Sequence, residues 1–264
     1  MQLRHRVSLN DNQLDELDER ILVLGVNDGA GRETLNAVSR FGGSGQRITT
    51  RHRDTLDISV KFGLRIKAGK LTERSELFEK VVAWAMAGGW LKVNYKPNRR
   101  IYVTCAQLPA PGDLAEWTTE YTIVFRAYSV PYWQQETPVS MTVNSARACT
   151  RTMDVAGSAP TVLDVSFTNI SGMEIANFTF SASGPRFVLD NLGLQANERL
   201  VIDHTPDGLL RIGIYSATGV WRSVLGCRTA QSSNDLVVNP GPVQWSMSAQ
   251  RAGRLIVSSC GRFL

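Results

Sequence analysis

The segment that decides the fold of this chain is Leu56-Asp57-Ile58-Ser59-Val60-Lys61-Phe62-Gly63-Leu64-Arg65-Ile66. Every even position in it is apolar, and every odd position is polar or glycine. A period of two requires an extended strand with one buried face and one wet face, which is typical of antiparallel sheets. The odd positions from Tyr121 to Ala127 repeat the alternation. We therefore predict a framework of long antiparallel strands.

One amphipathic helix is predicted between these two strands, over residues 73–87. Thr72 is placed to cap its N-terminus. Gly88-Gly89 is placed to end it, because glycine accepts the left-handed conformation that follows many helices. The apolar residues that would face the core recur at helical spacing, and they include Leu77, Val81 and Trp84.

The rest of the first half is interpreted as strands and connections. Asn27–Gly45 is polar and glycine-rich, so we interpret it as a long connection of the kind that is often functional. Ile48–Lys67 is predicted to be extended, with a bend near Arg51–Asp54. The other predicted strands are Leu3–Leu9, Arg20–Val26 and a hairpin formed by Trp90–Tyr95 and Arg100–Ala106.

A change in composition divides the chain near Pro131–Pro138, after which no lysine occurs. We therefore predict two domains, residues 1–137 and residues 138–264. Short apolar segments separated by Gly, Pro, Asn and Asp fill the second domain, which is the pattern of a β-sandwich. The segments are Val162–Thr168, Asn177–Ser181, Arg186–Leu189, Arg199–Asp203, Leu209–Tyr215, Pro242–Ser248 and Arg254–Ser258.

The bulk properties disfavour several classes of protein. The net charge of +5 is distributed in short clusters, without the concentrated basic face of a sequence-specific DNA-binding protein. Met1–Arg6 is followed by no apolar run, so we expect no signal peptide and synthesis in a reducing cytoplasm. The longest apolar run, Val81–Ala87, is far shorter than the about 20 residues that cross a bilayer, so we expect no membrane insertion. The cysteines lack metal-binding spacing and are interpreted as small buried side chains; they are Cys105, Cys149, Cys227 and Cys260.

No arrangement of residues indicates catalysis, a cofactor or a metal ion. Phe41–Gly45 is glycine-rich, but it leads into a strand and lacks the lysine of a phosphate-binding loop. Asp203–Gly208 contains a histidine among acidic residues, and a hairpin turn explains it better than a catalytic or metal site. Asp54 and Asp57 have the spacing of paired carboxylates. Asp57 falls on the polar side of a strand, however, where a solvated charge is the simpler interpretation.

The tryptophans divide into two groups. Trp84 and Trp117 fall on predicted buried stripes, so core packing is favoured for both. Trp133 lies in the predicted boundary and Trp221 follows a glycine, so the pattern constrains them less. Each is a candidate surface-recognition aromatic, because an aromatic ring that is apolar on its face and polar at its edge suits an exposed contact.

The order of elements from Thr55 to Trp133 resembles the distal tail protein family of long-tailed, non-contractile phages. The resemblance rests on the alternating strand, a helix with a Leu-Phe-x-x-Val-Val-x-Trp core, the run Gly-Gly-Trp-Leu-Lys-Val-Asn-Tyr, the run Arg-Arg-Ile-Tyr-Val, and a strand followed by Pro131-Tyr132-Trp133. Leu200-Val201-Ile202-Asp203 before a turn and the late Asn239-Pro240-Gly241 loop are similar to the second half of that family. The acidic segment Asp11–Glu19 departs from it.

The resemblance implies a mainly β fold, with an N-terminal β-sandwich-like ring domain that contains one α-helix and a hairpin, and a C-terminal galectin-like or jelly-roll β-sandwich. It also implies a homo-hexameric ring at the virion tail tip, a structural hub without enzymatic activity. The implied partners are the tail tube protein, a tail-tip hub or tail-associated lysin, and a receptor-binding protein. DNA would pass through the lumen only in transit.

For such a ring we predict that the glycine-rich loop and its basic continuation contact neighbouring subunits. The predicted contact residues are Gly42, Gly43, Gly45, Arg47, Arg51 and Arg53. A closed ring requires heterologous interfaces, and exposed strand edges are templates for pairing between subunits. Two alternatives stay open: a carbohydrate-binding module whose second domain presents Trp221 to host glycans, and, less favoured, a β-rich hydrolase.

Overall fold

The computed structural model describes residues 5–29, 31, 33–39, 46–67, 69–109 and 120–264. The chain divides into two compact units, Met1–Trp133 and Gln134–Leu264. Within the described residues the fold is mainly β with one α-helix, as the alternation of the sequence predicts. Trp117 and the predicted contact residues Gly42, Gly43 and Gly45 lie outside the described residues.

The first unit is built around antiparallel sheet. Its strands are β1 (Val7–Leu9), β2 (Asn12–Gln13), β3 (Ile21–Asp28), β4 (Glu33–Ser39), β5 (Gln46–Arg53), β6 (Leu56–Leu64), β7 (Gly89–Val93), β8 (Arg99–Gln107) and β9 (Glu120–Ala127), and its helix is α1 (Leu71–Met86). A short strand, β10 (Trp133–Gln135), lies at the division between the units. The sheet order is β2-β1-β7-β8-β9-β6-β3.

The alternating segment forms β6, the strand on which the first core is built. β6 pairs on one side with β3 and on the other with β9, so that Val60 lies opposite Ile123 and Asp57 opposite Arg126. The even residues of β6 are buried from Leu56 to Leu64. The first core therefore follows from the period-two pattern of two neighbouring strands.

Helix α1 packs its apolar stripe on this sheet. Trp84 and Phe78 each make an edge-to-face contact with a ring of β9, at centroid distances of 5.8 Å and 5.3 Å. Gly88 and Gly89, both with positive φ, end the helix as predicted. The predicted cap is wrong: the helix begins at Leu71 after Lys70, so Thr72 lies inside the first turn. Ion pairs of Glu73 with Lys70 and Arg20 hold that turn instead.

The predicted connection Asn27–Gly45 contains a strand that the sequence analysis missed. β4 lies within it and pairs only with β5, in a two-stranded antiparallel sheet that we call the ribbon (Glu33–Ser39 and Gln46–Arg53). A break at Asp54 separates β5 from β6, close to the predicted bend. The physical reason for the missed strand is its exposure, because a strand that buries neither face carries no alternation of apolar and polar residues.

The second unit is a sandwich of antiparallel strands. Its strands are β11 (Val139–Val155), β12 (Thr161–Asn169), β13 (Phe178–Ala182), β14 (Arg186–Leu189), β15 (Arg199–His204), β16 (Leu210–Tyr215), β17 (Trp221–Ser223), β18 (Val237–Val238), β19 (Gly241–Ser259) and β20 (Arg262–Phe263). The sheet order is β14-β13-β19-β12-β15-β16-β17, with β11 along β19 and β18 beside β12.

One long strand, β19, belongs to both layers of this sandwich. Its first half pairs with β13, and its second half, from Gly253 onward, pairs with β12. β11 follows it along both halves, and the register shifts between Val143 and Ala146 and again between Ala146 and Ala148. The core between the layers is rich in aromatic side chains, including Phe167, Phe178, Phe180, Phe187 and Trp245.

Two predictions for this unit need correction. Pro242–Ser248 and Arg254–Ser258 are parts of one strand, because β19 continues through its bend without leaving the β conformation. β11 was not predicted at all. Most of its side chains are exposed, so its sequence alternates too weakly to indicate a strand.

Candidate functional site

The first strand of the ribbon, β4, exposes both of its faces over the side chains that the structure describes. Residues 34–38 of β4 are all exposed, and Leu35 and Val38 are 51% and 57% exposed. The register places Arg51 opposite Leu35 and Arg47 opposite Val38. Since a lone two-stranded sheet is at best marginally stable in water, this ribbon has the properties of an element that is covered by a partner.

Polar contacts hold the end of β3, which precedes the ribbon in the chain. The end of β3 is tied to the β7–β8 turn, because Tyr95 donates a hydrogen bond to the Asp28 carboxylate at 3.0 Å and the Lys96 ammonium lies 2.5 Å from it. Burial alone would raise the pKa of Asp28, but these two hydrogen bonds outweigh burial and lower it. The Gly29 N–H donates to the Asp57 carbonyl at 3.0 Å.

The second strand of the ribbon is anchored by Arg53. Its guanidinium lies over the ring of Tyr132, with 5.3 Å between the guanidinium carbon and the ring centroid, a cation–π geometry. One residue later, the Asp54 carboxylate accepts a hydrogen bond from the Thr34 hydroxyl at 2.6 Å, which joins the two strands. The second strand of the ribbon is therefore fixed to the first unit at its base by Arg53, and the first strand is joined to it there by the Thr34–Asp54 hydrogen bond.

These observations divide the predicted contact residues into groups. Arg47 and Arg51 lie on the ribbon itself, opposite Val38 and Leu35, and their side chains lie outside the described part of the structure. Arg53 makes an internal contact, so its first role is to hold the ribbon in place. The three glycines fall outside the described residues. The contact assignment as a whole stays a prediction.

Trp133 does not lie on the surface. It is 1% exposed, and the Lys96 ammonium lies 4.8 Å from its ring centroid. The interpretation of Trp133 as a surface-recognition aromatic is therefore wrong. A proline-rich boundary indicated an exposed segment, but the ring contributes apolar area that is more stable away from water.

A second exposed apolar feature of the first unit is a pocket beside the end of α1. Its volume is about 360 Å³, and it is lined mainly by Leu9, Leu17, Ala83, Trp84 and Ala87. The Trp84 indole donates a hydrogen bond to the Asn12 carbonyl at 3.0 Å and so holds the wall of the pocket in place. The pocket and the ribbon are different surfaces of the same unit.

In the second unit, Trp221 lies in a row of residues that face one another on neighbouring strands of the sheet. It pairs with Tyr215 of β16, and the two rings are 4.9 Å apart at their centroids. The Trp221 ring covers Gly213, where any side chain would collide with it. Arg211 approaches the same ring at 5.6 Å and binds the Asp203 carboxylate through two hydrogen bonds of 2.9 Å and 2.6 Å. Trp221 is thus a partly exposed aromatic in a polar setting.

The segment Asp203–Gly208 forms the predicted turn, but its histidine has partners that the sequence did not indicate. His204 ends β15, and its side chain is 6% exposed. Nδ1 lies 3.1 Å from Asp164 and Nε2 lies 2.8 Å from Asp235. Burial alone would lower the pKa of His204, but the hydrogen bonds to both carboxylates outweigh it and raise the pKa to about 9. The imidazolium is therefore the stable form at neutral pH.

The other sites considered from the sequence have structural explanations. Asp57 is bound by both nitrogens of the Arg126 fork, at 2.5 Å and 2.8 Å, and the pKa of Asp57 is lowered by this pair. The four cysteines form no disulfide with one another, and they are half-buried, which is more accessible than predicted. Among the described residues there is no group of His, Cys, Asp and Glu that could hold a metal ion. No helix in that part of the chain has the length and apolar content needed to span a membrane.

Known structures with this fold include proteins of phage tails. The chain is similar to the Dit protein of phage SPP1, described as a paradigm of the hub adsorption apparatus in phages that infect Gram-positive bacteria, with a TM-score of 0.69 and 14% identity over 98% of this chain and 99% of that one. It is also similar to a chain of the phage P2 baseplate in its activated conformation with Ca, with a TM-score of 0.54 and 9% identity over 98% and 97% of the two chains. The strontium form of that baseplate gives a TM-score of 0.50 and 8% identity over 96% and 97%.

No protein family model matches the chain, and no curated protein matches its sequence. The likeness is therefore one of fold, and it extends over both units of the chain together.

Proposed function

We propose that this chain is a structural protein of a phage tail tip, a hub that assembles from copies of itself into a closed ring between the tail tube and the host-adhesion apparatus. The observation that carries the proposal is the shared fold with the SPP1 Dit protein over nearly the whole of both chains. At 14% identity the similarity establishes the fold alone. The proposed role in the tail is therefore supported by the surfaces described above as well.

The ribbon supports self-assembly. It exposes apolar side chains, including Leu35 and Val38, while its base is held by the Thr34–Asp54 hydrogen bond and the contact of Arg53 with Tyr132. Exposed apolar groups on a marginal two-stranded sheet gain stability when a neighbour covers them. A rigid base limits the entropy that the ribbon would lose on docking, so a neighbouring subunit is the partner that this geometry favours.

A ring of identical subunits needs two different complementary patches on each subunit. We assign the ribbon as one patch and the apolar pocket at the end of α1 as the other, so that the ribbon of one subunit covers the pocket of the next. The pocket, lined by Leu9, Leu17, Ala83, Trp84 and Ala87, offers apolar surface to the exposed side chains of the ribbon. Such a heterologous contact, repeated about one rotation axis without translation, gives a closed ring, which is the arrangement that we propose.

The remaining parts of the proposal follow from the resemblance of the sequence to distal tail proteins. The ring is hexameric, lies at the virion tail tip, and contacts the tail tube protein, a tail-tip hub or tail-associated lysin, and a receptor-binding protein. DNA passes through its lumen in transit. No bond chemistry is assigned to the chain, because the acidic and histidine side chains of the described sites are bound in ion pairs.

The test is the mass and shape of the purified full-length protein. Light scattering after size-exclusion chromatography is expected to give a multimer of about six copies, and negative-stain images are expected to show annular particles. A protein that stays monomeric at all accessible concentrations, with native circular dichroism, would contradict the proposal.

A variant of the pocket tests the assigned patches. Ala83→Arg places a charge inside the apolar pocket and is expected to shift the protein towards monomer. Thr72→Arg is the matched control, because Thr72 is exposed on the same helix about 16 Å away along its axis. Equal multimer mass for both variants would show that the pocket is not an interface.

A further inference from the structure

The outer face of the second unit contains a groove that runs across its strands. The register aligns Ser166 of β12, Val201 of β15 and Gly213 of β16 in one row of small residues. Larger side chains stand in the rows on either side, with Asp203 and Arg211 on one side and Arg199, Tyr215 and Trp221 on the other. Because registered residues of antiparallel strands share a face, Ser166 and Val201 form the floor of a trench of about 340 Å³, and the Trp221 ring covers Gly213 at the end of the row.

The two carboxylates of this groove are held in position. Asp164 is fixed by His204 at 3.1 Å, and Asp203 is fixed by the two-point contact with Arg211. An ionised carboxylate has about four lone-pair sites, so each retains capacity to accept further hydrogen bonds. Hydroxyls of Ser166 and Ser258 also line the groove. The groove thus presents preorganised acceptors beside groups that both donate and accept.

Tyr215 lines the aromatic side of the groove, and the Trp221 ring lies beside it with 4.9 Å between the ring centroids. Arg199 lies over the Tyr215 ring at 5.0 Å, and Trp221 extends over Gly213 into the row of small residues. Aromatic faces in such a position cover apolar C–H groups of a ligand, while the polar side of the groove engages its hydroxyls. Polar acceptors opposite an aromatic surface therefore suit a ligand that has hydroxyl groups on one side and apolar C–H groups on the other.

The charges of the groove cancel. The cations Arg199, Arg211 and the His204 imidazolium are matched by three carboxylates, those of Asp164, Asp203 and Asp235. The carboxylates would repel an anionic ligand, and the guanidinium groups would repel a cationic one. A neutral ligand therefore has the smallest electrostatic cost of binding. A volume near the lower end of the about 300–1,000 Å³ of small-molecule sites suits a short molecule.

We propose that this groove binds a short neutral saccharide, with its hydroxyls on Asp164, Asp203 and Ser166 and its C–H face towards Tyr215 and Trp221. The proposal does not depend on the ring, because all of its residues lie within one unit of a single chain.

The experiment follows the Trp221 indole N–H in two-dimensional nuclear magnetic resonance spectra of the full chain, with its peak assigned through Trp221→Phe. The neutral probes are glucose, galactose, N-acetylglucosamine, rhamnose and lactose, and the charged probes are glucosamine and glucose 6-phosphate. At least one neutral probe is expected to shift the peak in a saturable way, with a Kd on the order of 1 mM, since a small ligand has few atoms for contact.

Two variants and two controls locate the binding. Ser166→Phe fills the floor of the groove, and Thr152→Phe places the same ring on the exposed face of β11. Asp203→Asn removes a charged acceptor, and Asp154→Asn makes the same change elsewhere on the unit. Both groove variants are expected to weaken the Kd by at least about tenfold, and both controls to leave it unchanged.

Three results would overturn the proposal: no saturable shift with any neutral probe, equal affinity in Ser166→Phe and in the unaltered protein, or tighter binding of either charged probe. Each of these leaves the oligomer mass unaffected, so a failure here is distinct from a failure of the proposed ring.

Discussion

The ribbon and the β11–β19 pair are both long antiparallel strand pairs, but they differ in what they bury. Val243, Trp245, Met247, Leu255 and Val257 of β19 are all buried in the sandwich core. The described side chains of β4 from residue 34 to residue 38 are all exposed. Backbone pairing is the same in both, so the comparison separates the contribution of hydrogen bonding from that of apolar burial. Where backbone hydrogen bonding is not accompanied by apolar burial, we expect the strand pair to depend on a partner for its stability.

The largest expected effect is on the buried side of this comparison. Trp245→Ala removes a ring that is 1% exposed and stacked on Phe180 with centroids 5.9 Å apart, and it is expected to lower the free energy of unfolding by about 3–5 kcal/mol. Leu35→Ala on the ribbon is expected to change it by less than about 0.5 kcal/mol in the monomer. Urea denaturation monitored by circular dichroism measures both. Similar losses for the two variants would show that the ribbon already packs on the monomer.

The buried His204 predicts a pH dependence of stability in the second unit. The pKa of His204 is about 9 in the folded protein, above the ordinary histidine value of 6.5, so its stabilising contribution is complete below pH 6.5 and is lost as the pH rises through 9. The loss is at most about 3 kcal/mol, because the two carboxylates are each 35% exposed and partly screened.

The measurement is the free energy of unfolding from pH 6 to pH 10, compared between the unaltered protein and His204→Gln. The glutamine of the variant keeps an amide that can hydrogen-bond one carboxylate. The part of the decrease in the free energy of unfolding that is due to His204 is expected to be absent from the variant. An identical decrease in both proteins would assign the pH dependence to other groups.

On the exposed side, the largest effect is expected in assembly. The double variant Leu35→Asp, Val38→Asp is expected to weaken subunit association by at least about tenfold, or about 1.4 kcal/mol, because carboxylates replace the apolar groups that a neighbour would cover. Its monomer is expected to unfold at the same urea concentration as the unaltered protein. Analytical ultracentrifugation over a range of concentrations gives the association constant, and an unchanged constant would remove the ribbon from the interface.

A smaller effect distinguishes the anchor of the ribbon from its exposed part. Arg53→Gln removes the guanidinium that lies over Tyr132, and it is expected to cost about 0.5–1 kcal/mol of monomer stability. Arg51→Gln is expected to leave monomer stability unchanged and to weaken assembly. The charge-reversing change of Arg51 and Arg53 together is also expected to weaken assembly, while its monomer stays folded. If Arg53→Gln leaves the monomer as stable as before, the cation–π contact does not hold the ribbon.

The sequence predicts those parts of the fold that bury one face. The alternation of Leu56–Leu64 and Tyr121–Ala127 predicts β6 and β9, and the helical stripe predicts α1. β4 and β11 were missed because their exposed side chains do not alternate. A strand that is covered by a partner, or that forms an edge, has no core to impose a period on its residues.

The sites depend on long-range pairing, which the sequence reveals poorly. The partners of His204, Asp164 and Asp235, are 40 and 31 residues away and come together only through the sheet register and the approach to β18. Trp221 was identified from its local context, whereas the groove beside it depends on the small residues Ser166 and Gly213 on two other strands. Small residues on separate strands form no recognisable sequence motif, so the groove could not be predicted before the register of the sheet was known.

The measurement that tests the central claim most directly is hydrogen–deuterium exchange of the ribbon amides in the monomer and in the assembled protein. We predict that amides of Glu33–Ser39 and Gln46–Arg53 exchange rapidly in the monomer and at least about tenfold more slowly in the assembly, while those of β19 are slow in both. Ribbon amides that are equally protected in the two states, or that stay unprotected in the assembly, would contradict the account.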